Sequence, residues 1–291
     1  MSWRTVVISR RAKLDLKLNY LVIRGEEVLR IHLSEISTLM VESTAVSLTA
    51  ALLCELTKRK IKVIFCDEKR NPSSELVGCY GSHDTSGKLR QQIQWKSECK
   101  RLVWTEIVAE KIRKQAELLL EVHKKEESAL LHRYITQIEP GDETNREGHA
   151  AKVYFNGLFG MDFTRSGENA TNAALNYGYG ILLSAFNREI VAAGYLTQLG
   201  LFHDNQFNPF NLSSDLMEPF RPLVDRRVLE IGPEQFTHEE KMKLVNLLND
   251  AVVIDGKRQY VNYAVKIYCK SVFEALTEND IGLLRFYTYW I

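Results

Sequence analysis

From Leu89 to Gln137 the chain carries strong helix formers, apolar residues recurring every three or four positions, and no proline or glycine. A run of that length and period commits this part of the molecule to long helices packed on one another. The texture before residue 72 is different. "RTVVIS", "KLDLKLN", "YLVIRG", "VLRIHL" and "ISTLMVE" are short and rich in Val, Ile and Leu, and several alternate apolar with polar residues, so they read as strands. Asn19-Tyr20 and Arg24-Gly25-Glu26 stand where hairpin turns fall, Gly25 being able to take positive φ. The helical stretch "SLTAALLCELTKRK" follows, capped by Ser47 or Thr49, and leads into the buried-looking strand "IKVIFCD". Pro, Ser, Gly, Asp and Thr then collect in "NPSSELVGCYGSHDTSGK", which reads as a connection. The expected fold is α+β: a small β-rich N-terminal domain over residues 1–72, a linker over 73–88, and a larger all-α domain over 89–291.

With 291 residues, of which 45% are hydrophobic and 26% charged, the chain has ample material for a core and the charge of a soluble protein. A formal net charge of +1 neither suggests nor excludes nucleic acid; phosphate binding needs the basic residues gathered on one face. Cys54, Cys66, Cys79, Cys99 and Cys269 form no CxxC pair and no zinc spacing, which fits free thiols in a reducing cytoplasm. "MSWRTVVISRRAKLDL" lacks the apolar stretch of a signal peptide, and no uncharged run is long enough to span a bilayer. The expectation is a soluble cytoplasmic protein with no membrane partner.

Within the helical part, "NREGHAAKVYFNGLFG" reads as a short helix that Gly160 ends. "NATNAALNYGYGILLSAFNREIVAAG" is apolar nearly all round and therefore central. In "SSDLMEPFRPLVDRR", Leu216, Met217, Phe220, Leu223 and Val224 keep the helical period, with Ser213 or Ser214 as cap. Pro219 and Pro222 cannot donate to the carbonyls of Asp215 and Glu218, so the helix is distorted beside clustered acids. Freed backbone oxygen next to carboxylates is a place to hold a cation.

Three positions combine polarity with apolar surroundings. Glu147 lies three and four residues before Ala150 and Ala151, which with Tyr154 and Phe155 mark an inward face, so it projects near that face. His149, about 200° round the helix from it, does not. An N-terminal acid favoured by the helix dipole accounts for Glu147 equally well. His203 follows Leu199, Leu201 and Phe202 and opens a loop rich in Asn and Gln, as a ligand or as a hydrogen-bonded wall residue. Asp215 and Glu218 stand one turn apart with Arg221 another turn on; the prolines count against a merely exposed acid–base ladder. Two carboxylates and an imidazole make a hard-cation site that suits Mg²⁺ or Mn²⁺ and leaves positions open for water and phosphate oxygen. Spacing alone does not bring the three together.

Candidates for a DNA track are Arg10, Arg11 and Lys13, then Lys58, Arg59, Lys60 and Lys62, then Lys96, Lys100, Arg101, Lys111, Arg113 and Lys114, although such runs also form solvated faces. Tyr177 and Tyr179 either stack on a splayed base or pack in the core. Cys66 reads as closing a buried strand, "HKKEE" at 123–127 as an exposed helix face, and His83 has no role.

"NREGHAAKVYF", "LGLFHDNQ" and "DLMEPFRPLVDR", in that order in a helical domain behind a β-rich one, resemble the CRISPR-associated spacer integrases. The resemblance covers essentially the whole chain, "VIFCD" included. With the chain's length, "NREGHA", "HDNQFNPFNLSSDLMEPFRP" and "WRTVVIS" are most similar to the branch beside type II-A effector systems. The resemblance implies a metal, Mg²⁺ or Mn²⁺, held by Glu147, His203 and Glu218, where many relatives carry Asp in place of Glu218. It implies a supporting acid at Asp215 and a basic residue near the scissile phosphate at Arg221. The implied reaction is strand transfer, in which the 3′-hydroxyl of a captured prespacer duplex attacks a phosphodiester at the edge of a CRISPR repeat. Implied partners are DNA, a second copy of the chain paired through the β-rich domain, and a small second adaptation protein sandwiched by two such dimers in a heterohexamer. Other type II-A adaptation proteins are further partners. Two other readings stay open: a structure-specific metal-dependent endonuclease with water as nucleophile, and a non-catalytic DNA-organising scaffold whose acids are structural.

Overall fold

The computed structural model describes residues 4–68, 70–76, 78 and 84–290; Trp3, Cys79 and His83 lie outside the described residues. Strands Arg4–Ile8 (β1), Ala12–Lys17 (β2), Tyr20–Arg24 (β3), Val28–His32 (β4), Ile36–Val41 (β5) and Val46–Leu48 (β6) precede helix Ala50–Lys58 (α1), and strands Lys62–Cys66 (β7) and Pro72–Leu76 (β8) follow it. They do not form a simple meander. One sheet has the order β1-β5-β7-β8 and the other β4-β3-β2-β6. In the first, β1, β5 and β7 run parallel, with α1 making the crossover from β5 to β7. Thr49 accepts from the Leu52 amide and starts α1. Leu18 and Asn19 take positive φ at the β2–β3 turn, whereas Gly25 does not use its freedom.

Strand β5 is buried along its whole length because both its faces are covered. Leu39 and Val41 belong to a core with Leu14, Leu21, Leu52 and Leu56. Met40, on the opposite face, joins Ile64 and Cys66 in the core of the helical part. The first sheet is thus a wall shared by both parts. Burial there pushes the Cys66 thiol up to about 12, an inert small hydrophobe. The expected linker is partly ordered: Pro72–Leu76 completes the wall by pairing antiparallel with β7.

The helical part comprises Thr85–Ile93 (α2), Ser97–Glu121 (α3), Lys125–Ile135 (α4), Arg146–Phe159 (α5), Ala170–Ala192 (α6), Asn211–Leu216 (α7), Arg221–Ile231 (α8), His238–Val245 (α9) and Val261–Glu278 (α10). The unbroken helical pattern of 89–137 is therefore cut twice. At the first cut Trp95 turns into the core and the Gln92 amide bonds the Leu196 backbone. At the second, His123 takes a φ of 63° and the Lys124 amide donates back to the Leu119 carbonyl at 2.8 Å, so "HKKEE" spans a turn and the start of α4. Burial of Leu118, Leu119 and Leu131 in one core folds α4 back on α3. The expected all-α character also needs correction. Strands Ala251–Ile254 (β9), Lys257–Tyr260 (β10) and Thr288–Tyr289 (β11) form a small sheet in the order β10-β9-β11. Asp255 and Gly256, both at positive φ, make its hairpin turn. Among the described residues no helix is long and apolar enough to cross a membrane.

Candidate active site

Helix α5 begins where its first amides find acceptors. The Asp142 carboxylate takes the Arg146 and Glu147 N–H groups at 2.8 and 3.0 Å, and Asn145 takes that of Gly148. These are donors no helical carbonyl can satisfy. The fixed first turn aims Glu147 at the middle of α3. Ala150 and Tyr154 are buried behind it as the spacing predicts, and His149 is exposed.

His203 is held by Asp215. The fully buried Asp215 carboxylate accepts from the backbone of Leu201 at 2.6 Å, Phe202 at 3.1 Å and His203 at 3.2 Å, and its Oδ1 lies 2.5 Å from His203 Nδ1. A carboxylate is acceptor-only, so Nδ1 carries the proton, and in the neutral ring Nε2 keeps its lone pair. Hydrogen bonding to Asp215 raises the His203 pKa, against burial, and the charges of Glu218 and Glu147 add smaller contributions in the same direction. Trp104 supports the loop from below, stacked on Phe202 with centroids 4.7 Å apart and edge-on to His203 at 5.8 Å. Gly200 makes this approach possible, since a Cβ there would lie 2.3 Å from the His203 carbonyl and 2.8 Å from Asp215 Oδ2.

The expected distorted helix over 213–227 is in fact a break: α7 ends at Leu216, a 3₁₀ turn spans Glu218–Phe220, and α8 restarts at Arg221. Pro219 and Pro222 each fall in the first turn of the new segment, where a missing N–H costs nothing. The break turns Glu218, only 3% exposed, toward α3. Arg221 Nε meets its Oε1 at 2.9 Å, and Lys111 Nζ pairs with its Oε2. The same ammonium lies 2.5 Å from Glu147 Oε1. Burial raises the Glu218 pKa, but Arg221 and Lys111 outweigh it and pull it below the ordinary value. Burial likewise lowers that of Lys111, but Glu218 and Glu147 outweigh it and keep the ammonium charged.

This donor set suits a hard cation. Glu218 Oε2 is buried and meets Lys111 as an ion pair without a well-directed hydrogen bond, so a cation would satisfy it. Among the described residues no three His, Cys, Asp or Glu side chains are gathered as a ready metal cage. The two glutamates are instead closed on the Lys111 ammonium. Glu147 and Glu218 converge on Lys111, with Arg221 paired to Glu218; Asp215 does not join them but stands behind His203. Lys111 appeared in the sequence only as a DNA-track candidate, and Asp142 and Trp104 drew no notice.

Behind Arg221, Tyr179 and Tyr154 donate to Asp225 at 2.5 and 2.8 Å, and burial pushes the Asp225 carboxyl up to about 6. The Arg221 guanidinium lies over the Tyr179 ring, 4.7 Å from its centroid. Tyr177 and Tyr179 are both core residues, which removes the base-stacking alternative. Three basic candidates also leave the DNA track. Lys62 is buried against Glu75, Lys114 lies buried over the rings of Tyr287 and Tyr289, and Lys111 belongs to the site.

Fold and site define an α+β protein whose helical part closes two acids from distant elements on one lysine and holds an imidazole against a buried carboxylate. The family model for CRISPR associated protein Cas1 matches residues 5–251. The CRISPR-associated endonuclease Cas1 of Neisseria meningitidis serogroup C (strain 8013) is 35% identical over 291 residues, covering 98% of this chain and 96% of that one. The chain belongs to the Cas1 family. A solved casposase bound to an integration product superposes with a TM-score of 0.78 at 18% identity, over 97% of this chain and 92% of that one. A chain of a Cas6-RT-Cas1--Cas2 complex gives a TM-score of 0.74 at 17% identity, over 99% of this chain and 36% of the longer one. At such identities the superpositions speak for the fold.

Proposed function

We propose that this chain is the integrase of CRISPR adaptation, joining 3′-hydroxyl prespacer ends to CRISPR repeat DNA with the help of Mg²⁺ or Mn²⁺. The observation that carries the reading is the meeting of Glu147 and Glu218, from elements far apart in sequence, on one buried cationic group of α3, the helix whose Trp104 also packs against the Asp215-held imidazole of His203. Glu147, Glu218 and His203 Nε2 would hold the metal. Once bound, it would ease deprotonation of the attacking hydroxyl and neutralise charge developing on the phosphate. Asp215 fixes the imidazole tautomer and the loop that presents it. Arg221, steadied by Glu218 and the Tyr179 ring, offers paired donors to a nonbridging phosphate oxygen. His203, spent as a ligand, does not double as a free base.

The β-rich part supplies the homodimer surface of this reading: β4 is an edge strand on which Val28 is 55% and Leu29 53% exposed. Exposed Arg10, Arg11, Lys13, Lys58, Arg59, Lys60, Lys96 and Arg101 remain for the DNA backbone. We assign a Cas2-type second adaptation protein as partner, in a heterohexamer. For the type II-A branch only the sequence motifs and length speak, and the similarity to the Neisseria relative favours type II-C instead; a cytoplasmic setting rests on the free thiols. The name of the Neisseria relative, an endonuclease, favours one second reading, nicking of branched DNA at the same centre with water as nucleophile. The scaffold reading gives no reason for burying Glu218.

A strand-joining assay tests this: labelled short duplex, repeat-bearing plasmid, the small partner, and metal against chelator. Plasmid-linked label is expected with metal only, and none with Glu147→Ala, His203→Ala or Glu218→Ala proteins that still fold and bind DNA. Cleavage without linked label would favour the endonuclease, and DNA retention without strand change the scaffold. Unchanged joining by Glu218→Ala protein would defeat the site assignment.

A further inference from the structure

We infer that Lys111 is a built-in counter-cation of this centre: its ammonium holds the place between Glu147 and Glu218 in the metal-free protein, and a divalent ion enters by displacing it. The inference rests on the metal reading above. Lys111 is 8% exposed and projects from the middle of α3. It touches Glu147 Oε1 at 2.5 Å and Glu218 Oε2. One acid belongs to the first turn of α5 and the other to the 3₁₀ turn before α8, so α3 supplies the group on which both elements close.

Charge explains why such a group is needed. Two carboxylates facing one another in a half-dry site repel unless compensated. Arg221 compensates one oxygen of Glu218 and Lys111 the rest. An ammonium is a compact cation that takes oxygen partners, the preference shared by Mg²⁺ and Mn²⁺. Both cannot occupy the space between the same two carboxylates, because like charges at that distance strongly disfavour each other. The Lys111 head rides on a flexible four-carbon stem, so it can withdraw while α3 stays packed. Exchange also changes the sign of the site. Two glutamates with Lys111 and Arg221 balance to zero, whereas two glutamates with Arg221 and a divalent ion leave one positive charge for a phosphate.

The consequence is that metal binding is a competition, and removal of Lys111 should tighten it. The test is Mn²⁺ titration of the full chain, read by the electron paramagnetic resonance of free ion, alongside thermal denaturation with and without Mn²⁺. Lys111→Met keeps the stem and removes the charge; Lys111→Gln is the second variant should the first fold poorly; Lys111→Arg keeps the charge. The expected result is a Kd roughly tenfold or more lower for Lys111→Met or Lys111→Gln than for wild type, with no tightening for Lys111→Arg. Their metal-free melting temperatures should be lower and their gain on adding Mn²⁺ larger. A variant that folds only when Mn²⁺ is added supports the exchange. Equal Kd values in wild type and the uncharged variants overturn the role of Lys111 while leaving the metal centre standing. Absence of Mn²⁺ binding by every variant overturns both. Failure of both uncharged variants to fold even with Mn²⁺ makes Lys111 a purely structural ion pair and also overturns the inference.

Discussion

Replacement of Asp215 by asparagine changes a single atom type and should uncouple His203 from its loop. Asp215 Oδ2 accepts from Leu201 and Phe202, and Oδ1 from the His203 amide and Nδ1. An asparagine has one acceptor oxygen, so in either orientation its NH₂ group confronts two donors. Two hydrogen bonds to a charged acceptor are lost, each worth about 1.5–3 kcal/mol, which gives a local cost of about 3–6 kcal/mol in the loop 201–203. If the NH₂ group faces the ring, Nδ1 must turn acceptor and the proton moves to Nε2, the atom needed as ligand. Loss of an orienting partner of this kind typically costs 10–100-fold in metal affinity. The assay is Mn²⁺ titration of Asp215→Asn protein, with circular dichroism and urea denaturation to show that the helices persist. A folded variant that binds Mn²⁺ within about twofold of wild type would refute the orienting role.

Two further outcomes follow from the packing behind the site. Burial raises the Asp225 carboxyl from 3.8 to about 6, so the folded protein holds that proton more tightly than the unfolded chain. Its contribution to stability is present at low pH and lost as pH rises through about 6, and Asp225→Asn should therefore gain on wild type by roughly 2 kcal/mol between about pH 4.5 and about pH 7.5. Urea curves at the two pH values check this, and a constant difference contradicts it. At Gly178 an added Cβ would lie 2.4 Å from Val224 Cγ1, where α6 crosses α8. Gly178→Ala should destabilise by roughly 1–3 kcal/mol in denaturant titration, and an unchanged midpoint would mean the helices can part freely.

What could be read in the sequence was what period and composition encode. The strand runs and the central helix at 170–192 were legible because burial imposes period two or an all-round apolar surface. The α3–α4 hairpin was not, since helix formers continue through His123 and only tertiary burial of Leu118 and Leu131 chooses the fold-back point. The β9–β10 hairpin did carry a signal, Asp255-Gly256 directly after the apolar β-branched run Val252-Val253-Ile254, and it went unread. Lys62 was misplaced because its partner Glu75 lies on a strand that its Pro and Ser neighbours disguise as linker. Glu147, His203 and Glu218 were named from motifs. Lys111 and Asp142 were not, because a buried lysine and a capping aspartate look like any others until the fold gives them partners.

The account stands on one cation being shared by groups from three elements. Crystals grown with Mn²⁺ and measured at the manganese absorption edge test it directly. A single anomalous peak is expected within ligand distance of Glu147, Glu218 and His203 Nε2, with the Lys111 ammonium withdrawn. No peak there, with Glu147 and Glu218 still closed on Lys111 at saturating Mn²⁺, would contradict it.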